Sequence, residues 1–151
     1  MKEEFLQQAR DSVRAAFGGT DSLADLLRIH LVMEQILGEA LRLALPSPET
    51  LLPQTSLRFF QKARLLRSLN FLTDDALAFL LELNSLRNRF AHRLGYVLTE
   101  ADAESFGRLC PELYETIKAE DLNTRFSKTI SQLLGRLVGQ LEGRRILEEG
   151  K

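Results

Sequence analysis

The sequence predicts an all-α protein, a bundle of five or six helices in one domain spanning 1–151. Three observations predict it. Apolar residues recur at three- and four-residue spacing along almost the whole chain. Capping residues, glycines and prolines fall at the ends of those periodic runs. No segment has the alternation of a strand, and neither an internal repeat nor a low-complexity tract interrupts the pattern.

The first periodic run covers about Lys2 to Phe17, with Phe5, Leu6, Ala9, Val13, Ala16 and Phe17 on one side, and Gly18-Gly19 ends it. Thr20, Asp21 and Ser22 offer caps for a long second helix, about Asp21 to Ala44. Its apolar positions Leu23, Leu27, Leu31, Met33, Ile36, Leu37, Ala40 and Leu41 predict a wide buried face. Pro46, Pro48 and Pro53 predict a helix-free loop from Pro46 to Thr55. A third helix is expected from about Ser56 to Leu69. A fourth follows from about Asp74 to Leu94, capped by Thr73 or Asp74 and ended by Gly95. Thr99 with Asp102 marks the start of a short helix, and Pro111 suits the first turn of another. The last helix, about Leu122 to Glu149, carries Leu122, Phe126, Ile130, Leu133, Leu134, Leu137, Val138 and Leu141. Gly135, Gly139 and Gly143 recur every four residues along it. Each costs a helix about 1 kcal/mol relative to alanine, so the row predicts close helix–helix approach, within the chain or across a dimer.

Composition bounds the function. At 151 residues, 44% hydrophobic and 27% charged, the chain is an ordinary globular one with a core large enough to need no disulfide. A net charge of −1 gives no global pull toward nucleic acid or membrane. Cys110 has no partner for an internal disulfide and no histidine near it in sequence, which predicts a packing role in a reducing compartment. Met1 to Gln8 lacks the apolar run of a signal peptide, and no stretch has the length of a membrane span, so a cytoplasmic protein with no membrane partner is expected. Two histidines and one cysteine outside any ligand-spaced motif predict no metal site and no cofactor.

The chemistry is concentrated on the fourth helix. At 100° per residue, Leu83, Leu86, Phe90 and Leu94 form its apolar stripe, extended by Phe79 and Leu80. Asn84, Asn88 and His92 stand four apart on an adjacent face, which would let Asn88 hydrogen-bond the imidazole. Arg87 lies about 140° away from His92 around an ideal helix. The two groups therefore meet only if the arginine swings round or a second copy supplies the other half. A guanidinium is a fixed fork for phosphate oxygens and an imidazole moves protons, a minimal set for cleaving a phosphodiester without a metal. Between Ser56 and Arg93, Arg58, Lys62, Arg64, Arg67, Arg87, Arg89 and Arg93 face only Asp74, Asp75 and Glu82, a local +4 on an otherwise acidic chain. That patch suits an anionic backbone, and Arg58, Lys62, Arg89 and Arg93 are the expected RNA contacts. A bland account exists: basic helical faces are commonly just solvated, and a histidine near a helix C-terminus gains from the macrodipole. His30, with Glu34 four residues on, is expected to be a packing or surface histidine.

Arg87-Asn88-Arg89-Phe90-Ala91-His92 resembles the Arg, polar residue, spacer, His signature of the HEPN superfamily of helical nucleotide- and RNA-binding domains. Leu57 to His92, with Phe60, Lys62, Leu66, Leu69, Phe71 and Leu83, is especially similar to the mannitol-repressor-like branch, and Met33-Glu34-Gln35-Ile36-Leu37 fits as well. The resemblance covers roughly Ser22 to Asp102, and implies a HEPN-like core over about 21–110 with the long helix 122–149 outside it. It implies a two-fold dimer in which Arg87, Asn88 and His92 of both protomers line one cleft. The implied activity is that of a metal-independent endoribonuclease of the toxin or defence type, which leaves a 2′,3′-cyclic phosphate and is controlled by an antitoxin or regulatory protein. The alternative, also found among such relatives, is a non-catalytic transcriptional regulator or scaffold acting by protein–protein contacts. Leu94 departs from members silenced by a nucleotidyltransferase antitoxin, which carry a tyrosine two residues after the histidine; the nearest here is Tyr96.

Overall fold

The computed structural model describes residues 22–51 and 57–151, together with Glu4, Gln7, Gln8, Arg10 and Asp11. The described residues are 80% helix, and no strand occurs among them. Within residues 22–151 the described helices are, in order, α1 (Ser22–Ala44), α2 (Pro48–Leu51), α3 (Phe59–Ser68), α4 (Asp74–His92), α5 (Glu100–Gly107), α6 (Pro111–Ile117) and α7 (Leu122–Glu149). Most of the run predicted over Lys2 to Phe17 lies outside the described residues, as do Gly18 and Gly19.

The helix ends follow local capping chemistry. Thr73 Oγ1 accepts the Ala76 amide and starts α4. Thr99 and Asp102 form a reciprocal capping box, with the Asp102 amide donating to Thr99 Oγ1 and the Thr99 amide to Asp102 Oδ2. Pro111 occupies the first turn of α6, and Asp121 caps α7 by accepting the Thr124 amide. Positions 52–55 of the loop predicted over Pro46 to Thr55 lie outside the described residues, and over 48–51 it is corrected: Pro48 opens the single turn α2, because a proline at the first helical position gives up no helical hydrogen bond. Helix α4 also stops two residues short of Leu94. Arg93 is extended, Gly95 takes φ +72°, and the Tyr96 amide donates to the Arg93 carbonyl, so the chain folds back at once.

Helix α4 touches α1, α3, α5 and α7 and is the spine of the bundle. Leu26, Ile29, Met33, Ile36, Leu37 and Ala40 of α1 face it, while Phe59, Ala63 and Leu66 of α3 close the seam between them. On its other side, Phe79, Phe106 and Phe126 stack edge to face with centroids 6.2 and 5.6 Å apart, joining α4, α5 and α7. The wide buried face expected on α1 is narrower than its sequence suggests. Leu23, Leu27 and Leu31 are 36%, 37% and 62% exposed, while the described helices bury the stripe from Leu26 to Leu41. The Gly135, Gly139 and Gly143 row also faces outward. A Cβ added at any of the three meets nothing within 4 Å, so the row makes no close helix–helix approach within the described chain. No described helix is long and apolar enough to cross a membrane.

Candidate functional site at the end of helix α4

Helix α4 places its polar residues in two groups. Near the seam with α1 and α3, Arg87 is half-buried and its Nη1 donates to Asn88 Oδ1 at 3.2 Å. The Arg87 Nε is buried with no acceptor. One turn further on, His92 is exposed on the last residue of the helix and makes no hydrogen bond or ion pair among the described residues. Asn88 is therefore engaged with Arg87, and the hydrogen bond to His92 that the four-residue spacing allowed is not made. Arg87 and His92 lie on different sides of α4, as the helical angle requires, and no hydrogen bond connects them in the single chain.

The other basic residues divide according to whether a carboxylate holds them. Lys62 Nζ donates to Glu34 at 3.1 Å, and Arg67 pairs with Asp74 at 2.6 Å. Arg89, expected to contact RNA, is the most heavily engaged: it donates to Ser85 at 2.9 Å, Glu82 at 3.2 Å and the buried Asp102 at 2.9 Å. These bonds turn its guanidinium toward α5. Arg58, at the start of α3, and Arg64 are exposed and have no carboxylate partner among the described residues. Arg93 sits 5.8 Å from the centre of the Tyr96 ring, within cation–π range, and is otherwise open to solvent.

Asp102 anchors the turn that follows His92. Its Oδ1 accepts from Arg89, and its Oδ2 from the Tyr96 hydroxyl at 2.8 Å and from the amide and hydroxyl of Thr99, both at 2.9 Å. Burial opposes ionisation of this carboxyl, but the Thr99 amide, the two hydroxyls and Arg89 outweigh it and hold the group below its ordinary range. The Tyr96 ring packs edge-on against Phe90 at 5.0 Å. The segment from Arg93 to Leu98 is thereby tied back onto α4, which fixes the position from which His92 projects.

His30 is the functional-type residue that sequence reasoning undervalued. It is 7% exposed, its ring stacks on Phe59 at 4.2 Å, and its Nε2 lies 3.2 Å from Asn84 Oδ1, three residues before Arg87. Burial lowers its pKa, the Asn84 hydrogen bond and Glu34 oppose that, and the Arg87 charge lowers it further. The seam thus holds His30, Glu34, Lys62, Asn84 and Arg87 from three helices. The only local hint was the four-residue spacing of His30 and Glu34; the partner Asn84 is 54 residues away.

Cys110 is buried, and burial pushes its thiol pKa up, as expected of an inert packing residue. No cluster of three or more His, Cys, Asp or Glu side chains suited to a metal occurs among the described residues. No protein-family model, curated protein or solved structure matches the chain.

Proposed function

We propose that this chain is a HEPN-like RNA-binding protein that cleaves RNA without a metal, as a two-fold dimer whose active cleft forms around the C-terminal half of α4. The observation that carries the reading is the division of the basic residues. In the +4 segment, carboxylates hold Lys62, Arg67 and Arg89. Arg87, His92, Arg93, Arg58 and Arg64 have no carboxylate partner among the described residues. The Arg and His of the motif are thus among the side chains left for an external anion.

In this reading the His92 imidazole takes the proton of an RNA 2′-hydroxyl. The freed oxygen attacks the adjacent phosphorus, and the bond to the 5′-oxygen breaks. An imidazolium, from either protomer, returns a proton to that leaving oxygen. Arg87 stabilises the charge gathering on the non-bridging oxygens, and Asn88 holds the guanidinium by the hydrogen bond at its Nη1. The products are a 2′,3′-cyclic phosphate and a 5′-hydroxyl, and DNA, which lacks the attacking hydroxyl, is left whole. Because Arg87 and His92 point apart within one chain, a second α4 is needed to bring an arginine beside each histidine. Arg58, Arg64 and Arg93 extend the cationic track for the RNA backbone; Lys62 and Arg89 contribute mainly to the protein's own packing.

The test compares single-stranded RNA with DNA of the same sequence, using the wild type, Arg87→Ala and His92→Ala. The proposal expects cleavage of RNA alone. It expects loss of cleavage in both variants with unchanged melting temperature, and weakened binding in Arg87→Ala only. Cleavage that survives His92→Ala would refute the assigned roles.

A second reading has its own observation. Leu94 is fully exposed and Val97 is 71% exposed, immediately after His92. Two bare apolar side chains on a pinned turn suit a protein contact, as in a regulator or scaffold. If RNA is neither bound nor cut, Leu94→Ser with Val97→Ser should abolish partner binding and leave the fold unchanged.

A further inference from the structure

At the far end of α4 from His92, a cleft of about 130 Å³ opens between the first turns of α4, the turn joining α5 to α6, and the middle of α7. Its floor is apolar: Ala76, Phe79, Leu109, Leu133 and Leu137. Its rim is polar and two-sided, with Thr73 and Asp75 on α4's side and Arg136 and Gln140 on α7's. Thr73 and Gln140 meet across one end at 3.4 Å. Asp75 and Arg136, of opposite sign, do not meet. Both are exposed, they form no ion pair with each other, and neither has another carboxylate or cationic partner among the described residues.

We propose that this cleft binds a free α-amino acid with a branched aliphatic side chain, the size of leucine or isoleucine. Three features select that class. An enclosed apolar cavity of about 150 Å³ accepts benzene, and this cleft, of similar volume but open at a polar rim, takes a group of roughly four to six carbons. The floor offers such a group no polar partner, which excludes a hydrophilic side chain. The rim carries one carboxylate, from α4, and one guanidinium, from α7, complementary to the ammonium and the carboxylate of one zwitterionic ligand. A ligand bearing only one of those charges leaves the other wall unpaired. Gln140 and the Thr73 hydroxyl stand beside the head group and can each share a hydrogen bond with it.

The cleft lies on α4's first turns and the motif on its last, so ligand binding here is independent of whether the motif cuts RNA.

The experiment is calorimetric and NMR titration of the full chain with L-leucine. The comparison ligands are its deaminated acid, its decarboxylated amine and glycine. Saturable leucine binding by about 1 mM is expected, with each comparison ligand weaker by about tenfold or more. Arg136→Ala and Asp75→Asn, both surface changes, are expected to weaken leucine by a similar factor and to leave the ligand-free melting temperature unchanged. Three results would overturn the proposal: absence of saturable leucine binding, a deaminated acid that binds as tightly as leucine, or unchanged affinity in Arg136→Ala.

Discussion

Replacing Asp102 with alanine removes the group on which the turn after His92 depends. The residue is 4% exposed, and its two oxygens receive four hydrogen bonds, from Arg89, the Tyr96 hydroxyl, and the Thr99 amide and hydroxyl. After the change, the Tyr96 hydroxyl and the Thr99 amide lose their acceptor. Arg89 keeps only Glu82 and Ser85. The three bonds from uncharged donors end on a carboxylate and are worth at least about 1 kcal/mol each. The bond to Arg89 is charge-assisted, but its value must be discounted because that side chain is 25% exposed. Together these give a loss of about 3–4 kcal/mol. At 151 residues that corresponds to a fall of about 10 °C in melting temperature. Urea unfolding followed by circular dichroism measures the loss. Asp102→Asn, which keeps the shape and one acceptor oxygen, should lose about half as much. The double variant with Arg89→Ala should lose less than the two single changes added together. The pH dependence has a fixed sign. The folded carboxyl lies below its ordinary 3.8, so its contribution is complete above that pH and disappears as pH falls through the folded value. Asp102→Asn should remove that acid-side slope. A loss below about 1 kcal/mol for Asp102→Ala would refute the reasoning, since buried acceptors of this kind cannot be removed so cheaply.

Three further predictions rest on other parts of the molecule. His30 should titrate below 6.5 by NMR. Its contribution makes the fold less stable as pH falls below 6.5, where the unfolded chain takes up the proton first, and levels off once the folded ring is protonated. Arg87→Gln should move the midpoint up, and a wild-type midpoint at or above 6.5 would contradict the burial described. Gly135→Ala, Gly139→Ala and Gly143→Ala should each stabilise α7 by about 0.5–1 kcal/mol, because their outward space is open; destabilisation with a change in oligomeric mass would show instead that a second copy packs there. Gly107→Ala should cost about 1–3 kcal/mol in thermal unfolding, because its Cβ would lie 2.5–2.7 Å from the Tyr114 ring; a neutral result would mean that the ring is free to move.

The all-helical class and most helix starts are legible in the sequence because capping is local. Thr73, the Thr99–Asp102 box, Pro111 and Asp121 act within three or four residues of their own positions. Two other patterns are not read out locally, because the outcome depends on which neighbours are present. Leu23, Leu27 and Leu31 have the spacing of a core stripe, yet they stay 36%, 37% and 62% exposed. The glycine row has the spacing of a packing seam, yet within the described chain nothing lies within 4 Å of a Cβ added there, which leaves the seam to a second copy. In the candidate site, the motif and the basic segment are visible in the sequence, but the bonds that sort its cations are not. Arg89 is separated from Asp102 by 13 residues, Lys62 from Glu34 by 28, and His30 from Asn84 by 54. No local pattern reports pairings of that range. The Asn88 partner was misjudged for a smaller reason: the four-residue rule brings His92 within reach, but the adjacent Arg87 side chain folds over and takes the amide oxygen.

The most direct test of the central claim is to incubate purified wild-type protein with total RNA in EDTA, beside Arg87→Ala, His92→Ala and an equal mixture of the two. The account predicts cleavage by the wild type leaving 2′,3′-cyclic phosphate ends, and none by either variant alone. It also predicts partial recovery in the mixture, where one intact Arg87 can meet one intact His92 across the dimer. Intact RNA in every tube, with the wild type verified as folded and dimeric, would contradict it.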